Sequence, residues 1–426
     1  MTTTSSDGSS PADALVRQTR RFVRLFGSAA LLGWIALGLI GSAKASTTEI
    51  IYSFGGGTDG EYLDTDVEVD AAGNLYGTSV LGGQFGGGTV WELSPVGGGW
   101  VHTVLYNFTG GADGGEPYKG VTLDAAGNLY GTAVTGGSGS CEGGCGVTYK
   151  LTRNGSTWTQ TVLHAFTGGE DGSGPGSRVT LDKQGNVYGM TPTGGAFGLG
   201  TIYVLRPKTN DTWNLQVLHA FTGGVDGSSG SAGRMVFHQG ALFGAATTGG
   251  KYGSGTIFRL KPQNRGQWIY QPIYSFQGGL DGGFPYGGLT IDLSDNVFGT
   301  TYYGGTDGVG TVFQLSYARG GWVNLVLYNF KASGDGNSPI SNVVFDDMIN
   351  IYGTTSEGGA GSGTIFQLTQ IPAGGTWVET LTHVFAGTPD GAFPYSGMTP
   401  DGAGSFYGAT VHGGADGEGS IYKFTP

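Results

Sequence analysis

The sequence predicts an all-β protein, a seven-bladed β-propeller of four-stranded antiparallel blades. Three observations carry this expectation. A Phe-ended segment recurs at Phe54, Phe108, Phe166, Phe221, Phe276, Phe330 and Phe385, in steps of 54, 58, 55, 55, 54 and 55 residues. Every copy keeps the same internal offsets from its Phe: Asp-Gly at five residues, Tyr or Phe then Gly at twenty-two, and Gly-Gly at twenty-eight. The last copy stops one strand short, and the start of the repeat region supplies a strand of the missing kind. Fixed offsets over seven copies describe one structural unit, copied and stacked.

Each unit holds four strand signals, rich in Val, Ile, Thr, Tyr, Phe and Trp and bounded by Gly, Asn and Asp. The first is a short run such as Val121-Thr122-Leu123, ending at Asp124. The second follows an Ala-Ala-Gly-Asn turn and reads Leu129-Tyr130-Gly131-Thr132. The third reads G-T-V/I-aromatic-x-L, as from Gly310 to Leu315. The fourth opens on Trp and ends in V-L-Y-x-F, as from Trp322 to Phe330. No stretch after residue 46 carries a helical period. In the third strand Phe313 and Leu315 point to one face and Val312 to the other, so both faces are apolar. A single sheet cannot cover both; seven radial sheets can, each against two neighbours. A parallel β-helix is the rival, but its coils are far shorter than these 55-residue units. The final copy ends at Ile421-Tyr422-Lys423-Phe424, a third strand, while Thr47–Phe54 reads as a fourth strand lacking its Trp. The N-terminal strand is therefore expected to join the last blade and close the ring.

Residues 1–45 stand outside the repeat and read as a signal peptide, with 46–426 as one propeller domain. Arg17, Arg20, Arg21 and Arg24 precede an apolar run from Leu25 to Ile40, and Ala43-Lys44-Ala45 offers a cleavage site before Ser46. Residues 19–25 resemble a twin-arginine signal, with Val23 where that motif prefers Phe. An ordinary secretory signal and an uncleaved anchor are the alternatives; the apolar run is short for spanning a bilayer. The expected location is the periplasm or the cell exterior, with no membrane association after cleavage and a monomeric state.

Composition narrows the function classes. Gly supplies 88 of 426 residues without the every-third period of collagen, and aromatics reach 12%, which argues for a folded, loop-rich chain. The net charge of −12 argues against nucleic acid as a partner. Thirteen of the 32 acidic residues sit at two repeat positions, so the acidity is turn chemistry multiplied.

The segments D-A-A-G-N-L-Y-G-T at 70–78 and 124–132, with F-T-G-G-A-D-G at 108–114, resemble the GloVer tandem-repeat family of exported bacterial proteins. The resemblance runs from about Ile50 to Phe424. It implies export and a propeller-like repeat, and no particular activity.

In antiparallel order, the loops leading into each first strand and those joining second to third strands share one rim, the top. Asp59, Asp113, Asp171, Asp226, Asp281, Asp335 and Asp390 are expected to ring it. Asp before Gly in a tight turn serves backbone amides, and that structural role is the expected one; a calcium site is the functional alternative. No other cofactor is expected. Asp70, Asp124, Asp182, Asp292, Asp346 and Asp401 form a second set at the opposite turns, with Phe237 and Ala241 replacing the usual Asp and Asn in blade four. The residue before Gly-Gly varies: Leu81, Thr135, Thr193, Thr248, Tyr303, Glu357, His412. Tyr303, Glu357 and His412 are the candidate catalytic or metal-binding trio, against a plainer reading as exposed loop variation. Tyr62, Tyr118, Phe284, Tyr286, Phe393 and Tyr395 are candidate ligand-binding aromatics, suited to carbohydrate, or else rigid loop packing. His164, His219 and His383 replace Tyr52, Tyr106, Tyr274 and Tyr328 of the other copies. Cys141 and Cys145, in a lengthened loop, are expected to form a local disulfide in an exported protein. A non-catalytic binding or scaffold protein for polysaccharide or protein is the leading expectation. A propeller enzyme using the trio, and a purely structural protein, are the alternatives.

Overall fold

The computed structural model describes residues 45–426 apart from 211, 229, 231–232 and 372–374. The signal-peptide reading of residues 1–45 thus lies outside the described residues, Ala45 excepted. Among the described residues no helix is long and apolar enough to cross a membrane.

Seven four-stranded antiparallel sheets form the blades of a propeller. Blade two is typical: Thr122–Leu123, Leu129–Ala133, Val147–Asn154 and Thr157–Ala165 run from the innermost strand to the outermost. Blade seven takes Thr399–Pro400, Phe406–Thr410 and Ser420–Thr425 from the end of the chain and Thr47–Ser53 from the start. Thr47 pairs with Thr425 and Ser53 with Ser420, so the N-terminal strand closes the ring.

The repeated residues explain one another through packing. The third-strand aromatics Trp91, Tyr149, Tyr203, Phe258, Phe313, Phe366 and Tyr422 are fully buried. Each lies over the Gly of the second strand: a Cβ on Gly77 would come within 2.3 Å of the Trp91 ring, and one on Gly299 within 2.7 Å of Phe313. Glycine stands there for space, since any larger residue would displace the ring. The Phe ending each fourth strand, also fully buried, packs on the third-strand aromatic of the next blade. Ring centroids are 5.0 Å apart for Phe108–Tyr149, 5.2 Å for Phe276–Phe313 and 5.3 Å for Phe385–Tyr422. Phe54–Trp91, at 5.4 Å, makes the same contact from blade seven to blade one.

At the axis a second belt ties blades together. Thr122 donates its hydroxyl to the Val179 carbonyl of the next blade at 2.7 Å, and Thr399 donates to Val67 at 2.6 Å. Thr180 and Thr290 make the same bond to Met235 and Val343. Inner strands this short need such links, because their own sheet bonds are few.

Blade four corrects one detail of the sequence alignment. Val236 pairs with Phe243 as Glu68 pairs with Tyr76, so His238, not Phe237, stands in the place of the usual Asp. The chain gains one residue before the strand and loses one in the turn. A tight Gln239-Gly240 hairpin, both residues at positive φ, replaces the Asp-capped loop.

Truncating Phe54 tests closure. Phe54→Ala is expected to cost about 3–5 kcal/mol, as for a buried Phe elsewhere, and to match Phe276→Ala at an interior interface in urea unfolding. A near-neutral Phe54→Ala beside a costly Phe276→Ala would mean the ring is not sealed by the N-terminal strand.

Candidate functional site

The top rim is built by two loops per blade that hydrogen-bond each other. The residue before Gly-Gly pairs with the loop leading into the first strand in all seven blades, from Glu61 with Leu81 to Ala392 with His412. The variable position is thus one rung of a short ladder.

The seven Asp-Gly carboxylates are held by protein donors. In blade two Asp113 accepts the Tyr106 hydroxyl and the Thr109 amide, each at 3.0 Å, and the Thr109 hydroxyl. Where Tyr becomes His the imidazole takes over: His164, His219 and His383 approach Asp171, Asp226 and Asp390 at 2.9, 2.9 and 3.1 Å. Burial keeps the His219 pKa below its usual value despite Asp226, so it acts as a neutral N–H donor. Burial alone would raise Asp226, but bonds from Thr222 and His219 outweigh it and hold the carboxyl below the usual range. The turn is also clipped from its other side: Gln160 donates to the Asp113 carbonyl at 3.0 Å, and His102 lies 2.9 Å from Asp59. Among the described residues no three His, Cys, Asp or Glu side chains converge as a metal site. The second Asp set caps its turns alike: Asp124 accepts the Ala126 and Asn128 amides, both at 2.9 Å, and the Asn128 side chain at 2.8 Å.

The candidate aromatics fall into two classes. Tyr62, Phe284 and Phe393 occupy one loop position with φ of 59, 57 and 58°, shared by Glu116 and Ser338 in other blades. The positive φ therefore belongs to the turn, not to one specialised blade. Their rings pack on the rung residues: Phe284 on Tyr303 at 5.6 Å, Phe393 on His412 at 6.0 Å, and Tyr62 on His412 at 5.8 Å. Tyr118, Tyr286 and Tyr395 lie two residues further on, each after a proline. Tyr286 and Tyr395 line a cleft together with Lys119, Asn342 and Asp66. Tyr62 and Tyr118 adjoin them, since Tyr395 helps raise the Tyr62 phenol pKa and Tyr62 helps raise that of Tyr118 to about 12, burial being the larger cause in both. Lys119 pairs with Asp64 beside this group.

Tyr303, Glu357 and His412 occupy successive blades of the same rim. Among the described residues no hydrogen bond or ring contact joins any two of them. Glu357 instead faces Tyr302 and Tyr395, where its charge adds to burial in raising both phenols. Cys141 and Cys145 are disulfide-bonded, with Cys145 fully buried in the cluster around Phe166.

Sequence reasoning missed the charged lining of the central channel. Its cavity of about 320 Å³ is bordered by Asp66, Glu68, Arg178, Arg234 and Asn342, with apolar walls that include Val236 and Val344. Arg178, only 5% exposed, pairs with Glu68, has Asp66 at 4.0 Å and donates to Thr122 at 3.3 Å. The available signal was the position twelve residues after each Phe, which reads Asp66, Gly120, Arg178, Gly288, Asn342 and Gly397. The shifted register of blade four puts Arg234 in that series.

The profile of the Gloeobacter/Verrucomicrobia repeat matches residues 138–344 and 231–426. No curated protein matches the chain. Among solved structures, it is similar to a protein from Lactobacillus plantarum at 13% identity, covering 79% of this chain and 88% of that one with a TM-score of 0.49. It is also similar to YjhT at 13% identity, covering 71% and 92%, TM-score 0.40. A Thermus thermophilus protein described as a proposed oxidoreductase (glucose dehydrogenase) has 16% identity, covering 71% and 95%, TM-score 0.39. Scores below 0.5 at such identities carry no argument for function.

Blade six breaks the clip pattern and gives a pH test. Glu379 stands where Gln160 and His102 stand in their blades, but it faces Asp335, and its Oε1 is buried without a hydrogen bond among the described residues. Burial, then the Asp335 charge, push its pKa up to about 7, against an opposing Lys331. The folded state therefore holds a proton that the unfolded chain releases near 4.5. The penalty is absent below that value, grows as pH rises and is complete above about 7. Glu379→Gln is expected to raise Tm relative to wild type at pH 8 and to lose that advantage at pH 4.5. Parallel curves across that window would contradict the assignment.

Proposed function

We propose a binding role for this chain, which belongs to the Gloeobacter/Verrucomicrobia repeat family: an exported, non-catalytic protein that engages a polysaccharide through its aromatic top mouth. The observation that carries the reading is the grouping of Tyr62, Tyr118, Tyr286 and Tyr395 around one opening, with Asp64, Lys119 and Glu357 among them. Aromatic faces pack on sugar C–H surfaces, and carboxylates accept hydroxyl protons. Tyr286 is 38% exposed, open enough to receive a ring. Export is supported by the disulfide, which suits an oxidising compartment. Calcium at the Asp ring has weaker support, because those carboxylates already hold protein donors. The enzymatic alternative lacks contact among Tyr303, Glu357 and His412.

Glycan-array screening followed by calorimetry tests this. Tyr286→Ala and Tyr395→Ala are each expected to weaken the best glycan about tenfold, or about 1.4 kcal/mol, with little change in Tm. Absence of any glycan ligand, or affinity untouched in both variants, overturns the reading. Protein recovered after export is expected to begin at Ser46 by N-terminal sequencing; a retained leader would replace the secreted form with an anchored one.

A further inference from the structure

The rim opposite the mouth carries a charge pattern that neither the fold nor the mouth requires. After residue 45 the chain has 15 Lys and Arg against 30 Asp and Glu. The third strands and following hairpins of blades two to four, residues 147–158, 201–213 and 256–268, reverse that balance, with seven cations to one acid, Asp211. The matching segments of blades one, five and six, residues 89–100, 311–322 and 364–377, hold one cation and one acid between them. Among the described residues the Lys and Arg paired with carboxylates are Lys119, Arg178 and Lys423, none of them in this group. Arg206 and Arg259 donate instead to the neutral Gln216 and Gln271, both at 2.6 Å, and Lys150 lies 5.5 Å from the centre of the Tyr130 ring.

These cations border grooves between blades. The Trp opening a fourth strand packs on the second-strand ring of the blade before it: Trp213 on Tyr130 at 6.4 Å, Trp268 on Tyr188 at 5.8 Å and Trp322 on Phe243 at 6.3 Å. Lys150 and Lys208 flank Trp213 in a groove of about 420 Å³ with no acid in its described lining. Arg259 and Lys261 flank Trp322 and the 63% exposed Tyr317 in a groove of about 360 Å³. The acid of that lining, Asp295, is held by His238 at 2.6 Å and Gln239 at 2.7 Å. Here His238, Ala241 and Phe243 replace the Asp, Asn and Tyr of the usual turn, which leaves the groove to cations and rings. Between blades one and two the same frame places Asp70 and Asp124 beside Arg153 and Trp158, so a cationic lining is not a by-product of the fold. Rings beside cations, repeated from blade to blade, match a chain of sugars that bears negative charge: a ring takes a C–H face and a cation takes a carboxylate. A recess between blades also receives a sugar unit better than a flat plane of lipid headgroups. We propose that the outer grooves of blades two to five bind an acidic polysaccharide, held by Lys150 and Lys208 at one boundary and by Arg259 and Lys261 at another. The surface shares no residue with the mouth and does not depend on a ligand there.

Calorimetry on the mature protein with polygalacturonate, dextran and polyphosphate tests the proposal. Polygalacturonate is expected to bind at least about tenfold tighter than dextran in low salt, and the preference to shrink as salt rises. Lys150→Gln with Lys208→Gln, and Arg259→Gln with Lys261→Gln, are each expected to weaken polygalacturonate about fivefold. Lys251→Gln with Lys331→Gln, which removes the same charge at the top rim, should leave it in place. Equal loss in that top-rim pair would reduce the effect to net charge and overturn the grooves. Tyr317→Ala should weaken polygalacturonate and spare polyphosphate; polyphosphate binding as tightly as polygalacturonate would overturn the sugar ligand. A preference lost in Tyr286→Ala would move the site to the mouth. Absence of polygalacturonate binding overturns the proposal, and sedimentation on phosphatidylglycerol vesicles in that case would assign the surface to a membrane instead.

Discussion

The contact on which this structure depends is an aromatic pair across each blade boundary. The Phe at the end of one blade rests on the third-strand ring of the next, which rests on a glycine. Edge-on and tilted aromatic pairs of this kind add about 0.5–1.5 kcal/mol each beyond the area they bury. The larger effect is geometric. Phe, ring and glycine come from three strands in two blades, so strand register must hold while loops vary; the lengthened loop holding Cys141 and Cys145 leaves Phe108 on Tyr149 at 5.0 Å. That explains why the offsets survive in every copy while loop sequences drift. It also explains why the N-terminal strand must come home: without Phe54, Trp91 would lose its cover.

Once the boundaries are fixed, the remaining polar repeats are scaffolding. The Asp-Gly turn receives Tyr or His from the blade behind it and, in several blades, a clip from the blade ahead. Exchange of Tyr for His preserves a donor at the same place, so the substitution leaves no functional trace. A carboxylate engaged this way seven times over acts as a fastening. Glu379 is the exception that shows the constraint, since an acid in a donor's position leaves a buried oxygen unsatisfied.

The architecture was legible in the sequence because its determinants are local and repeated. Blade number, strand order and ring closure follow from Phe spacing and from the incomplete last unit. Blade four was misaligned by one residue because a gained and a lost residue cancel between Phe221 and Phe243, leaving the offset intact. The candidate aromatics could be found from sequence, but their division into rung-packing Tyr62, Phe284 and Phe393 and cleft-lining Tyr286 and Tyr395 could not. That division depends on which way each residue leaves a left-handed turn. Arg178 and Arg234 were hidden for a different reason. They lie two residues before the innermost strands Thr180–Leu181 and Val236–His238, where neighbours in space lie 56 residues apart in sequence.

Symmetry itself separates fastening from function. A group present in all seven blades sees the same surroundings each time and cannot single out one ligand orientation. Selectivity needs positions where the frame holds and the chemistry changes. The rim rung changes, but its side chains point over a broad surface and those of blades five to seven make no mutual contact. The channel position changes where all seven blades converge, setting Asp66 and Glu68 of blade one against Arg178 and Arg234 of blades three and four. Arg178 spans blade two to reach both acids, which fixes a dipolar axis across the bore. Arg234 adds a second positive charge, on which Glu68 and Asp66 also act. Two acids thus answer two guanidiniums in the bore, a charge pattern that the repeat itself does not carry.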